Sequence, residues 1–105
     1  MTEQLRTRWT ANTILEFLTA HREALKAMGV EEIGLFGSHV RDEQRPDSDI
    51  DILVKIEPFT FTSWMDVWNF LEDHFATQVD LVPAKDLRPE LRPYVLSEVR
   101  YVENL

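Results

Sequence analysis

No cysteine occurs among the 105 residues. That absence excludes disulfide staples, thiolate zinc sites and a cysteine nucleophile, and it suits a reducing compartment such as the cytoplasm. No apolar run approaches the roughly 20 residues that span a bilayer, so no membrane association is expected. The opening residues Met1-Thr2-Glu3-Gln4-Leu5-Arg6 lack the apolar stretch that directs secretion. Basic residues are scarce: 11 Lys/Arg face 19 Asp/Glu, for a net charge of −8. The imbalance is concentrated, because residues 31–80 hold twelve Asp/Glu against three Lys/Arg. Such a field repels nucleic-acid phosphates and attracts cations and basic proteins, so stable nucleic-acid binding is not expected. The three histidines are scattered and give no metal-ligand spacing. No P-loop lysine follows the Gly-Ser pair, and no Gly-x-Ser-x-Gly elbow surrounds Ser38.

What is present has the apolar content and length of one globular domain, taken here as residues 1–105. Residues 1–9 are polar and are expected to fray. The periodicity predicts a helix from Thr10 to Met28, with Ile14, Leu18, Leu25 and Met28 on one face. Thr10 or Asn12 can cap its start, and Gly29 stands where it should stop. His21 on that face reads as a packed helix residue and not as a ligand. Strands are expected over Glu31–Phe36, Asp49–Ile56 and Gln78–Val82, with His39 to Glu43 as one helical turn between the first two. A second helix over residues 62–76 places Trp64, Val67, Trp68, Leu71 and Phe75 on a buried stripe. A last helix is expected over residues 89–102, from the spacing of Leu91, Val95, Val99 and Val102, with Pro93 at its first residue or kinking it. The order helix, strand, strand, helix, strand, helix defines an α/β (α+β) domain with helices on a small mixed sheet, in an unspecified strand order.

Three features of the middle stretch carry chemistry. Asp49 and Asp51 lie two residues apart on a strand, so both carboxylates project to one face, about 6.6 Å apart along it. Aspartate is a poor strand former, and two like charges there make sense around a cation such as Mg²⁺, which takes carboxylate and phosphate oxygens. Asp80, between Val79 and Leu81, is a third carboxylate inside an apolar strand. If its strand lies beside that of Asp49 and Asp51, three carboxylates can hold two metal ions for an in-line displacement. Finally, Gly37-Ser38 ends a strand before a helical turn. There glycine allows close backbone approach, while the serine hydroxyl and turn N–H groups suit phosphate oxygens. Arg41, one turn on, offers a planar fork of donors to the same phosphates. Each feature alone is common in turns and strand edges; their order and spacing together are not.

Gly37-Ser38, ten residues, then Asp49-Ile50-Asp51 resembles the nucleotidyltransferase family. Phe36, Arg41 and Asp47-Ser48 extend the likeness, and Val79-Asp80-Leu81-Val82 looks like the element bearing the family's third carboxylate. In particular the chain is similar to the minimal nucleotidyltransferases, which keep the palm-like catalytic core alone. The resemblance implies a small mixed sheet flanked by helices. It also implies two Mg²⁺ ions on Asp49, Asp51 and Asp80 and the triphosphate of ATP on Gly37, Ser38, Arg41 and Ser48. Asp80 would also help activate an acceptor hydroxyl. Many members of this group are antitoxins that silence a HEPN-type ribonuclease toxin by attaching AMP to a tyrosine, so a hetero-oligomer with such a toxin is implied. Two positions depart from the pattern. His39 stands where the family often has arginine, and Asp42 where glycine closes the stretch; an extra carboxylate there is expected to weaken nucleotide binding unless it turns away. Two rival readings are a binding-only antitoxin, covering its toxin with the acidic surface and an aromatic patch of Phe59, Phe61 and Trp64, and nucleotidyl transfer to a nucleic acid or small molecule.

Overall fold

A computed structural model describes residues 9–103 and 105. Its helices and strands are α1 (Ala11–Ala20), α2 (Arg22–Ala27), β1 (Val30–Phe36), β2 (Ile50–Ile56), α3 (Phe61–Phe75), β3 (Val79–Pro83), α4 (Arg92–Glu98) and β4 (Arg100–Tyr101), with a 3-10 turn at Ala84–Asp86. The four strands form one mixed sheet in the order β3-β2-β1-β4. β1 runs antiparallel to β2 and β4, whereas β2 and β3 are parallel. This is the mixed α/β architecture expected. No helix among the described residues is long and apolar enough to cross a membrane.

Period-two alternation sorts the sheet's side chains. Ile33 and Leu35 of β1, Ile50, Ile52, Val54 and Ile56 of β2, and Val79 and Leu81 of β3 enter the main core with Ile14, Leu18, Leu25, Val67, Leu71 and Phe75 from the helices. Fully burying a Val, Leu or Ile side chain contributes about 1.5–3 kcal/mol, so this layer dominates stability. The intervening residues face the other way. There Leu53, Leu87 and Val95 make a second, smaller cluster with Phe36, Val82 and Val99. Asp51 and Asp80, two residues before Leu53 and Val82, share that second face.

Helix starts follow their capping residues. Thr10 accepts from Thr13 N–H at 3.2 Å while Thr13 Oγ1 accepts from Thr10 N–H at 2.9 Å; Thr60 and Ser63 repeat the arrangement at 2.9 Å each. The single helix expected from Thr10 to Met28 is broken at His21. Its Nδ1 lies 2.9 Å from the Phe17 carbonyl, which also accepts the His21 backbone N–H at 3.0 Å. The imidazole stacks on the Phe17 ring at 4.1 Å, so His21 is the packed residue expected. The fraying expected for residues 1–9 falls, for residues 1–8, outside the described residues. Trp9 does not conform to it. Its indole N–H donates to the Phe75 carbonyl at 3.0 Å, and its ring packs edge-on against Phe75 at 4.7 Å.

The last expected helix, over residues 89–102, is corrected more substantially. α4 stops at Glu98, and Val99 is extended with φ −64° and ψ 138°. The chain then pairs along the outer edge of β1, with Gly34 opposite Tyr101 and Leu35 opposite Arg100. Gly34 makes room for it: a Cβ there would lie 2.7 Å from Val99 Cγ2 and 3.2 Å from the Arg100 carbonyl. Gly34→Ala is therefore expected to destabilise the fold by about 1–3 kcal/mol through overpacking, read as a lower midpoint in urea unfolding with the slope unchanged.

Candidate active site

β1 ends in a sharp turn at Gly37, whose φ is +87°. The Gly37 carbonyl accepts from the Val40 and Arg41 N–H groups at 3.1 and 3.3 Å, and the Ser38 carbonyl from Glu43 N–H at 2.9 Å. Residues 37–43 thus form the expected helical turn, with Ser38 half-exposed at its head. Asp42 has φ +60°, the left-handed conformation that glycine adopts without strain and aspartate tolerates. Its side chain is exposed.

His39 turns inward, with 4% of its surface exposed. It lines a cavity of about 310 Å³ together with Trp9, Gln44, Ser48, Ile50 and Phe75. Burial lowers its pKa, which favours the neutral ring. Buried in that cavity, it is no replacement for an arginine on phosphates. The guanidinium of this loop is Arg41. Ser48 shapes the approach to β2: its hydroxyl oxygen accepts from Arg45 N–H at 2.8 Å, and its own N–H donates to the Arg45 carbonyl at 2.9 Å.

Two of the three carboxylates, Asp51 and Asp80, are in register at the mouth of the sheet. Asp49 lies one residue before β2 and is exposed, so the strand expected from position 49 begins at Ile50. Asp51 is half-buried and stands in register with Phe36 on one side and Asp80 on the other. Strands are about 4.8 Å apart and residues in register share a face, so Asp51 and Asp80 are direct neighbours. Burial first, then the charges of Asp80 and Asp49, push Asp51 up to about 6 from its ordinary 3.8; Arg41 opposes the shift. Gly37 closes the other side. A Cβ on it would overlap the Asp51 carboxylate, at 2.9 Å from Cγ and 3.1 Å from Cβ. The turn and the acid pair are therefore packed backbone against side chain, which only glycine permits.

The chemistry of this donor set fits a hard divalent cation: oxygen ligands only, with mutual repulsion that a cation would relieve. Among the described residues no three His, Cys, Asp or Glu side chains close into a ready-made cage. Mg²⁺ does not require one, because it keeps waters and takes substrate phosphates on one or two carboxylates.

One residue of the site was not legible in advance. Glu98, the last residue of α4, accepts from Gly37 N–H at 2.8 Å and from Arg41 Nη1 at 2.8 and 3.1 Å. The available signal was its position, since an acid in the last turn of a helix opposes the helix dipole and calls for a cationic partner.

Comparison with known proteins identifies the family. Residues 18–102 match the family model described as nucleotidyltransferase domain. The protein adenylyltransferase MntA of Thermococcus cleftensis is 41% identical over 95 residues, covering 89% of this chain and 96% of that protein. A solved structure of a candidate minimal nucleotidyltransferase superposes with a TM-score of 0.67 at 37% identity, covering 82% of this chain and 93% of that one. A solved complex of tri-AMPylated Shewanella oneidensis HEPN toxin with MNT antitoxin has the same fold, with a TM-score of 0.61 at 19% identity over 87% of this chain and 73% of that one. The chain belongs to the nucleotidyltransferase family, in its minimal form, and is a nucleotidyltransferase.

Proposed function

We propose that the protein moves AMP from ATP onto a tyrosine hydroxyl of a HEPN-type toxin, with which it forms a hetero-oligomer, and so acts as its antitoxin in the cytoplasm. The observation that carries this reading is the register of Asp51 with Asp80 beside the Gly37 turn. The relative described as a protein adenylyltransferase and the solved toxin complex support the choice of acceptor.

The acceptor oxygen would attack the α-phosphorus in line. The bond from that phosphorus to the bridging oxygen of the β-phosphate breaks, and pyrophosphate departs. Asp80, exposed at the sheet edge, takes the hydroxyl proton. Ser38 and Arg41, at the Gly37 turn, would hold the triphosphate, which fixes the angle of attack. Asp49, Asp51 and Asp80 would hold two Mg²⁺ ions, which supply charge neutralisation at the α-phosphate and at the leaving group. Most of the catalysis is positioning and electrostatics, which a domain without a substrate lobe can provide if the acceptor arrives on a partner protein.

The test uses ATP labelled at the α-phosphate, Mg²⁺ and the purified product of the neighbouring reading frame. The wild type is expected to label and silence a molar excess of the partner, and Asp80→Ala to label none while keeping its fold. Equal labelling by Asp80→Ala, or silencing that needs equimolar protein and no ATP, would refute the proposal.

A further inference from the structure

We propose that Glu98 is a positioning residue for the nucleotide's phosphates, acting through Arg41 and the Gly37 turn; this rests on the nucleotidyl-transfer reading above. A single carboxylate joins α4 to the Gly37 turn at two points. It sits on α4, 61 residues from Gly37 and 57 from Arg41, and accepts from both. Its side chain is only 22% exposed, against 47% for Arg41, so water competes weakly for it. Arg41 is held from two sides, because its Nε donates to Glu43 at 3.0 Å while Nη1 donates to Glu98. Among the described residues Nη2 makes no hydrogen bond, so one edge of a fixed guanidinium stays available for an anion. The N–H of Gly37 is engaged as well, which pins the residue that packs on Asp51. One side chain thereby sets both the donor fork and the glycine that spaces it from the acid pair. Ordering these groups beforehand removes an entropic cost from nucleotide binding.

An opposite role makes an opposite prediction. A carboxylate that merely filled the phosphate site would repel ATP, and neutralising it would tighten binding. The discriminating measurement is MgATP affinity by calorimetry, with transfer kinetics alongside, for the full-length wild type, Glu98→Gln and Glu98→Asp. Circular dichroism and Tm confirm that each variant is folded. Glu98→Gln keeps an acceptor for Gly37 N–H but loses the charge for Arg41. It is expected to weaken MgATP binding about tenfold and to raise KM for ATP in step, with kcat within about twofold. Glu98→Asp, which keeps the charge, is expected to recover part of the loss. In an Arg41→Ala background the Glu98→Gln change should cost less than about twofold, because the two residues act as one unit. Wild-type or tighter binding by Glu98→Gln, or an undiminished effect without Arg41, would overturn the inference and leave the transferase reading standing. A wild type that does not bind MgATP would take down both.

Discussion

Replacing Asp51 by asparagine is expected to stop transfer and, in the same molecule, to make the ligand-free protein more stable. The loss of activity follows from its place: it is the half-buried carboxylate between Asp80 and the Gly37 turn. Removing about 4 kcal/mol of transition-state stabilisation slows the reaction roughly a thousandfold. The gain in stability follows from its charge. The folded state holds Asp51 up at about 6, whereas the unfolded chain has the ordinary 3.8. The folded form therefore binds the proton more tightly, and stability falls as pH rises through this window. Below pH 3.8 the group is protonated in both states and costs nothing; above pH 6 the penalty is complete. Solvent screening of a half-buried group reduces the effect to about 1–2 kcal/mol at neutral pH, or a rise of about 5–10 °C in Tm. Tm of wild type and Asp51→Asn measured in EDTA from pH 3.5 to 7.5 should diverge between these limits. Parallel curves would show that Asp51 bears no charge penalty.

Gly37→Ala is the second large effect. Two costs add there. The residue sits at φ +87°, where a Cβ costs about 1–2 kcal/mol. The new methyl would also overlap the Asp51 carboxylate, which must swing away or drag the turn with it. A displacement near 1 Å of a positioned group costs roughly 100-fold in rate, so transfer per folded molecule is expected to fall by at least that factor. Gly29→Ala is the matched control. Gly29 has φ +95°, and its Cβ would meet the Glu57 carbonyl at 3.0 Å, but it lies at the far end of β1 from the acids. It should lower Tm comparably and leave transfer per folded molecule unchanged. Normal transfer by Gly37→Ala would mean that the close approach of turn and carboxylate is dispensable.

These effects also mark how far the chain could be read without coordinates. β1, β2, β3 and α3 lie within a residue or so of their expected limits, because alternation, a buried aromatic stripe and flanking Gly or Pro are local signals. β4 had no such signal. Its two residues form a strand only because Gly34 leaves space on an edge 65 or more positions earlier in the chain. The break at His21 is likewise set by a side-chain bond to Phe17 that helical periodicity does not register. At the site, the aspartates, the Gly-Ser turn and Arg41 stand out by spacing, but the register that sets Asp51 against Asp80 is a tertiary fact. Glu98 is one acid among nineteen until α4 is docked. Of the aromatics that a binding-only antitoxin would use for docking, Phe61 is 73% exposed, but Trp64 donates to the Leu81 carbonyl at 3.1 Å and Phe59 lies under Lys85 Nζ at 4.1 Å.

The indoles themselves make the molecule a selective optical probe. All three tryptophans donate to main-chain carbonyls: Trp9 to Phe75, Trp64 to Leu81 and Trp68 to Val79. Two of those acceptors flank Asp80 on β3, and none belongs to the Gly37 turn or to α4. Intrinsic emission thus reports whether the third strand is docked under its helix, while rearrangement around Arg41 and Glu98 passes unseen unless a fluorophore is placed there.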